Sequence, residues 1–206
     1  FRDRCLEIDL AHELAKRLDR RPRIVSMYFA NLGNELKQRR IDIIMAGLSV
    51  TPQRQLDMAF AEPYLRTGQK AMVLRKDVDQ YKGADDLKRK SLRIGVERSS
   101  SGAAHARKSY PDAQVVAYAT VAKAADALKR GGVDVVVHDA PTIAWLVRTD
   151  RTQTLAPIAG ELTVEPIAWA VHPDNAALLA EVNTALQTMR DDGTLDRLIV
   201  KWIGAE

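Results

Sequence analysis

Three short segments of the chain hold side chains able to act on a small charged molecule. In the first, Gly47-Leu48-Ser49-Val50-Thr51-Pro52-Gln53-Arg54, Thr51 followed by Pro52 is a helix-start signature. Free backbone N–H groups at such a start, beside the Arg54 guanidinium, suit a carboxylate, because a planar fork grips both oxygens at once. The alternative is an Arg54 that only solvates a helix surface. The second segment, Ser99-Ser100-Ser101-Gly102, lies between a strand and a helix and offers hydroxyls to the same anion, or simply caps the helix. The third is Asp139, at the carboxyl end of an apolar strand, where it either pairs with an ammonium or caps a helix before Pro141. An arginine for an anion and an aspartate for a cation, with hydroxyls alongside, is zwitterion-binding chemistry. His138 beside Asp139 invites a nucleophilic reading with Ser101. However, neighbours on a strand point to opposite faces, so His138 is expected to pack under the sheet, and no catalytic residue is expected. No GxSxG elbow, Walker loop or GxGxxG turn is present.

Composition narrows the classes further. With 206 residues the chain is one large domain or two small ones. Its 46% apolar and 28% charged residues are ordinary globular usage, and no apolar run reaches the length of a membrane span. Cys5 is the single cysteine, so no intrachain disulfide forms. His12, His105, His138 and His172 include no i/i+4 pair, and neither a metal nor a cofactor is expected. A net charge of +4 is too weak to argue for nucleic acid.

These residues need elements to position them. Leu6, Leu10, Leu14 and Leu18 stand four apart and predict an amphipathic helix over 6–18. Strands are expected at 23–29, 41–47, 71–74, 92–96, 115–118, 133–137 and 167–171. Helices are expected at about 32–37, 103–110, 121–129 and 176–189, with a last one ending at Trp202. The run 41–47 reads as a strand buried on both faces, as in parallel sheets. Strands alternating with helices argue for an α/β fold, and such folds bind ligands beyond the carboxyl ends of their strands. Residues 36–47 echo residues 128–139: each reads as a helix end, a tight turn, an Asp and a buried strand. The echo suggests two similarly built lobes, with polar linkers near 75–86 and 157–166.

At these residues the sequence resembles the polar amino-acid family of periplasmic solute-binding proteins, the receptors of ABC importers. The longest matching motif runs Asp42-Ile43-Ile44-Met45-Ala46-Gly47-Leu48-Ser49-Val50-Thr51-Pro52-Gln53-Arg54 and on to Phe60-Ala61-Glu62-Pro63-Tyr64. Glu7-Ile8-Asp9-Leu10-Ala11, Ile94-Gly95-Val96, Val133-Asp134 with Asp139, Asp192-Gly193-Thr194-Leu195 and Lys201-Trp202-Ile203-Gly204 follow in family order. The resemblance implies a type II periplasmic-binding fold, each lobe a mixed, mainly parallel sheet flanked by helices, with two hinge crossings. Residues 1–76 plus 164–206 would form lobe 1 and residues 77–163 lobe 2. Arg54 would grip the ligand α-carboxylate with Ser100, Ser101 and their main chain. Asp139, with Gly47 and Ser49, would hold the α-ammonium, and Phe29 would pack on the ligand side chain or in the core.

The implied protein is a monomeric, non-enzymatic periplasmic receptor. It takes a polar or cationic L-α-amino acid between its lobes and partners an ABC permease. A preference for cationic ligands rests on Glu97, which is otherwise expected to be exposed. Two alternatives keep the fold: a sensor module of a larger membrane protein, and a cyclohexadienyl-dehydratase-like enzyme. The family's opening strand precedes the Phe1-Arg2-Asp3 position and is not in this sequence. Cys5 stands where Gly is usual, Ser99 replaces a frequent Gly, and no charged-then-apolar leader is present.

Overall fold

Leucines spaced by four build the first element, as the sequence predicts: α1 (Leu6–Arg17) buries Leu10, Ala11, Leu14 and Ala15 along one stripe. The structure, a computed structural model, describes residues 5–203. After α1 come α2 (Leu32–Lys37), β1 (Ile43–Ile44), α3 (Pro52–Gln55), β2 (Ala59–Phe60), β3 (Leu65–Thr67) and β4 (Gln69–Leu74). Two 3-10 segments, Arg75–Gln80 and Ala84–Lys88, lead into β5 (Arg93–Glu97), α4 (Ser101–Ser109) and β6 (Gln114–Tyr118). Next are α5 (Val121–Lys129), β7 (Val135–Asp139), α6 (Ala140–Thr149) and β8 (Leu155–Pro157). The last elements are β9 (Glu165–Ile167), β10 (Ala170–Val171), α7 (Ala176–Asp191) and α8 (Thr194–Ile203).

The chain divides into two units. Unit 1 takes the described residues up to Met27, then Asn31–Arg66 and the described residues from Pro166 on; unit 2 takes Tyr28–Ala30 and Thr67–Glu165. The chain leaves unit 1 through β3 and returns through β9, and these two strands pair. The first crossing therefore falls at Arg66–Thr67 rather than after residue 76. The reason is β4, which sits between β7 and β8 inside the unit 2 sheet and carries residues 69–74 with it. The polar stretch 75–86 is not a crossing; it folds as the two 3-10 segments of unit 2.

Unit 2 is a three-layer sandwich. Its five-stranded sheet has the order β6-β5-β7-β4-β8, with β5 parallel to both β6 and β7, and β4 antiparallel to both β7 and β8. Alternation along the strands sends Ile94, Val96, Val135 and Val137 to one face, against Ala103 and Ala106 of α4. Val136 and Met72 go to the other, against Ala124 and Leu128 of α5 and Ile143 of α6.

Unit 1 packs α1, α7 and α8 around Trp169, which is fully buried and stacked on Tyr64 with centroids 5.1 Å apart. Glu7 fastens that pair, accepting from the Tyr64 hydroxyl and from Trp169 Nε1. Truncating Trp169 to Ala would cost about 3–5 kcal/mol. The unit 1 sheet, β1-β10-β2, is antiparallel, with Ile43 opposite Val171 and Ala170 opposite Phe60. The parallel pairs β5–β6 and β5–β7 lie in unit 2. The run 41–47 contributes only Ile43–Ile44 to a sheet, and that strand is antiparallel.

One expected strand is not formed. Residues 23–28 have no regular structure, Ile24 and Val25 are about half exposed, and Phe29 opens a 3-10 turn, Phe29–Asn31. A strand requires a partner for its backbone groups, and none of the described sheets takes this segment. The internal echo, in contrast, reaches the backbone. Arg39 and Gly131 occupy equivalent places in the two copies, and both have left-handed φ, 56° and 73°. Around each, the helix closes the same way, with Arg40 N on Glu35 O and Gly132 N on Ala127 O.

Candidate functional site

The unit 1 residues gather at the turn that follows β1. Gly47 has φ of +65°, which turns the chain there at no steric cost. Ser49 is buried, and its backbone bridges Ile167. Thr51 caps α3 as its sequence predicts, its hydroxyl accepting from Arg54 N at 3.2 Å. The guanidinium does not simply solvate a helix surface. Arg54 Nη1 donates to Ser49 O at 2.8 Å, a bond that closes the turn on itself and fixes the fork beside Ser49.

The unit 2 residues lie at the carboxyl end of the central strands, where α/β sheets carry their sites. Ser100 is the N-cap of α4: its hydroxyl accepts from Ala103 N at 3.1 Å and donates to Glu97 O at 2.8 Å. Ser99 takes a left-handed φ of 63° to bring the cap into place. Ser101 Oγ accepts from Gln69 Nε2 at 3.0 Å. Gln69 is the register partner of Asp139 across β4 and β7, so it brings Ser101 and Asp139 to one corner of the sheet. Its side-chain carbonyl Oε1 is buried and has no hydrogen-bond partner, an arrangement that costs about 1–3 kcal/mol unless something donates to it. Gly102 allows this packing: a Cβ there would meet Gln69 Oε1 at 2.6 Å.

Asp139 caps α6. Its Oδ2 accepts from Thr142 N at 3.1 Å and from Thr142 Oγ1 at 2.8 Å. Its Oδ1 lies against His138 Nδ1, and His138 Nε2 sits 2.9 Å from Glu97 Oε2 on the neighbouring strand β5. With a carboxylate on each ring nitrogen, the imidazole is held as an imidazolium. Burial pulls its pKa down, but Asp139 and Glu97 together outweigh burial and push it up to about 10. Burial likewise acts to raise the Asp139 pKa, and the imidazolium with the Thr142 hydrogen bonds more than reverses it, leaving the carboxyl below its ordinary range. Strand alternation places His138 on the face of Val136, under α5 and α6, as expected. Glu97 is not an exposed side chain; it is 13% exposed and committed to His138.

Within unit 1 the structure thus brings Gly47, Ser49 and Arg54 together, and within unit 2 it joins Ser100, Ser101 and Asp139 through Gln69 and Glu97. Phe29 stands in its 3-10 turn, half-buried, with the Tyr28–Ala30 segment that groups with unit 2. Sequence reasoning missed Gln69, the Glu97–His138 bridge and Thr142. The signals were a Gln opening the run Gln69–Leu74 and a Thr three residues after an Asp. Among the described residues no cluster of metal-ligating side chains occurs, and no helix is long and apolar enough to cross a membrane.

Comparison with known proteins identifies the family. The family model described as bacterial extracellular solute-binding proteins, family 3, matches residues 6–205. The ABC transporter arginine-binding protein 1 of Escherichia coli (strain K12) is 32% identical over 203 residues, which cover 95% of this chain and 80% of that protein. Two solved structures superpose closely. An ancestral arginine-binding protein bound to arginine has a TM-score of 0.90, and one bound to glutamine has 0.91. Each is 31% identical and covers 97% of this chain and 88% of the other.

Proposed function

This chain belongs to the bacterial extracellular solute-binding proteins of family 3, and on that premise we propose that it is a receptor for a cationic or polar L-α-amino acid. It is a binding protein rather than an enzyme, as its relatives are named. Arg54 grips the α-carboxylate through its guanidinium fork, with Ser101 and the start of α4 adding donors. Asp139 takes the α-ammonium, together with Gly47 and Ser49, and Phe29 packs on the ligand side chain. The protein works as a monomer outside the cytoplasm, in the periplasm, and hands its ligand to an ABC permease. The observation that carries this reading is the Arg54 guanidinium, oriented by the Ser49 carbonyl rather than left to solvent. A cationic ligand is supported by the relatives named for arginine. Arginine in one superposing structure and glutamine in another support a polar side chain of that length.

A thermal-shift screen against the twenty L-amino acids tests the reading, because a ligand of the native state raises apparent stability. L-arginine, L-lysine or L-glutamine is expected to give the largest shift. Agmatine, which is arginine without its carboxylate, is expected to give none. Calorimetry on Arg54→Ala is expected to show affinity reduced about a hundredfold or more, since one ligand charge loses its partner. An unchanged affinity in that variant overturns the assignment.

A further inference from the structure

The imidazole of His138 has no place in the grip just described, yet it touches the carboxylate on which that grip depends. We infer that His138 is a positioning residue of the amino-acid site, a built-in cation that bridges Glu97 and Asp139 and keeps the Asp139 carboxylate ionised and aimed. This rests on the reading of Asp139 as the ammonium partner. The geometry is a line of contacts: Glu97 Oε2 to His138 Nε2 at 2.9 Å, an ion pair of His138 Nδ1 with Asp139 Oδ1, and Asp139 Oδ2 on Thr142. All three acidic and basic side chains are largely buried, with 13–21% of their surface exposed. Two adjacent buried carboxylates do not both ionise without a counter-charge, and His138 supplies it. Two negative charges and one positive leave the group one cation short, which is the charge an ammonium brings.

Among the described residues of unit 2, several neighbouring charged groups are engaged elsewhere. Lys70 on β4 is the register partner of His138, but its Nζ donates to Gly160 O at 3.0 Å. On α4, His105 meets Ser109, and burial lowers its pKa. Lys129 on α5 pairs with Asp150, and Arg93 on β5 pairs with Asp134. Lys123 and Asp126 on α5 and Arg148 on α6 also belong to elements packed on β7, but the ion pairs of the imidazole are to Glu97 and Asp139.

The consequence is a flat pH profile that the histidine creates. With His138 protonated and Asp139 ionised throughout, affinity stays level from pH 5.5 to 7.5. Without the imidazolium, burial and Glu97 push the Asp139 carboxyl upward, and it protonates as the pH falls. Calorimetry with L-arginine, L-lysine and L-glutamine on the wild type and on His138→Gln reads this directly. The wild type is expected to change less than twofold over that range, whereas the variant loses about tenfold at the acid end, the equivalent of one pKa unit. A merely structural role would weaken binding equally at every pH, and equal profiles overturn the inference. If none of the three amino acids binds the wild type, the parent reading falls and takes this one with it, which is a distinct result. Should His138→Gln fail to fold, the wild type alone decides. In a long-range 1H–15N spectrum at pH 8, one of the four imidazoles is expected to be doubly protonated, and four neutral imidazoles overturn the proposal.

Discussion

Helix α6 of unit 2 has an aspartate at each end, part-buried at its start and buried at its close, and the two are chemically opposite. Asp139 precedes the helix, where the unpaired N–H groups and the helix field favour a carboxylate. Asp150 ends it, where the field opposes one. Asp150 is nevertheless the better satisfied of the two. Its Oδ1 accepts from Lys129 Nζ, Thr152 N and Thr152 Oγ1, and its Oδ2 from Thr154 N, Thr154 Oγ1 and Leu155 N. Burial works to raise its pKa, yet Lys129, Thr152 and the Leu155 and Thr154 amides outweigh burial and hold the group far below the usual range. Asp139 has only Thr142 on one oxygen and the imidazolium on the other. A carboxylate with every lone pair committed fixes a loop; one with fewer donors and a counter-charge alongside still has capacity for a ligand. Saturation, more than burial, separates the structural aspartate from the one we propose to bind ligand.

Substitutions can break this contrast. Asp150→Ala strands Lys129 and several amides, and is expected to destabilise unit 2 by about 3 kcal/mol with ligand affinity unchanged, as read from urea unfolding and calorimetry. Asp139→Asn is expected to do the reverse. Asn still caps α6 and Glu97 still pairs with His138, so the unfolding midpoint should fall less than in Asp150→Ala, while affinity falls about a hundredfold because the ammonium loses its charge partner. If the two variants exchange these effects, the distinction fails.

The pH dependence of stability sharpens it further. A raised histidine pKa stabilises fully below the unfolded value of about 6.5 and loses that contribution as the pH rises towards about 10. The alkaline decline should therefore be shallower in His138→Gln than in the wild type. The depressed Asp150 works at the other limb. Its contribution is complete above about pH 4 and is lost on acidification below that, so Asp150→Ala should flatten the acid limb. The smallest effect is expected from Thr142→Val, which removes one hydroxyl donor and leaves the backbone cap, costing about 1 kcal/mol.

Much of the frame was legible from short-range pattern. The leucine spacing gives α1, the bounds of α5 are those its periodicity predicts, and Thr51-Pro52 starts α3 where it should. The misses share a physical cause, namely that the deciding partner lies far along the chain. The apolar stretch at 23–29 reads as a strand, yet a strand exists only where another pairs with it. The start of β4 is polar, and only its seat between β7 and β8 reveals it as an inner strand. Asp139 reads as a possible helix cap in sequence, and nothing local marks Asp150. What separates them is Glu97, reaching His138 across 41 positions, and Lys129, reaching Asp150 across 21.

Gly68 shows a constraint of another kind. It is buried where the chain enters unit 2, and its carbonyl accepts from Ala140 N, the first residue of α6. A Cβ there would lie 1.5 Å from the carbonyl oxygen of Thr163. In a saturation library, position 68 should tolerate replacement as poorly as Arg54 does, for the contrary reason. On the proposed reading Arg54 is required for the group it supplies, whereas residue 68 is required to supply none. A screen that scores only survival would rank the two together, and pairing it with a ligand-binding readout would tell reach from room.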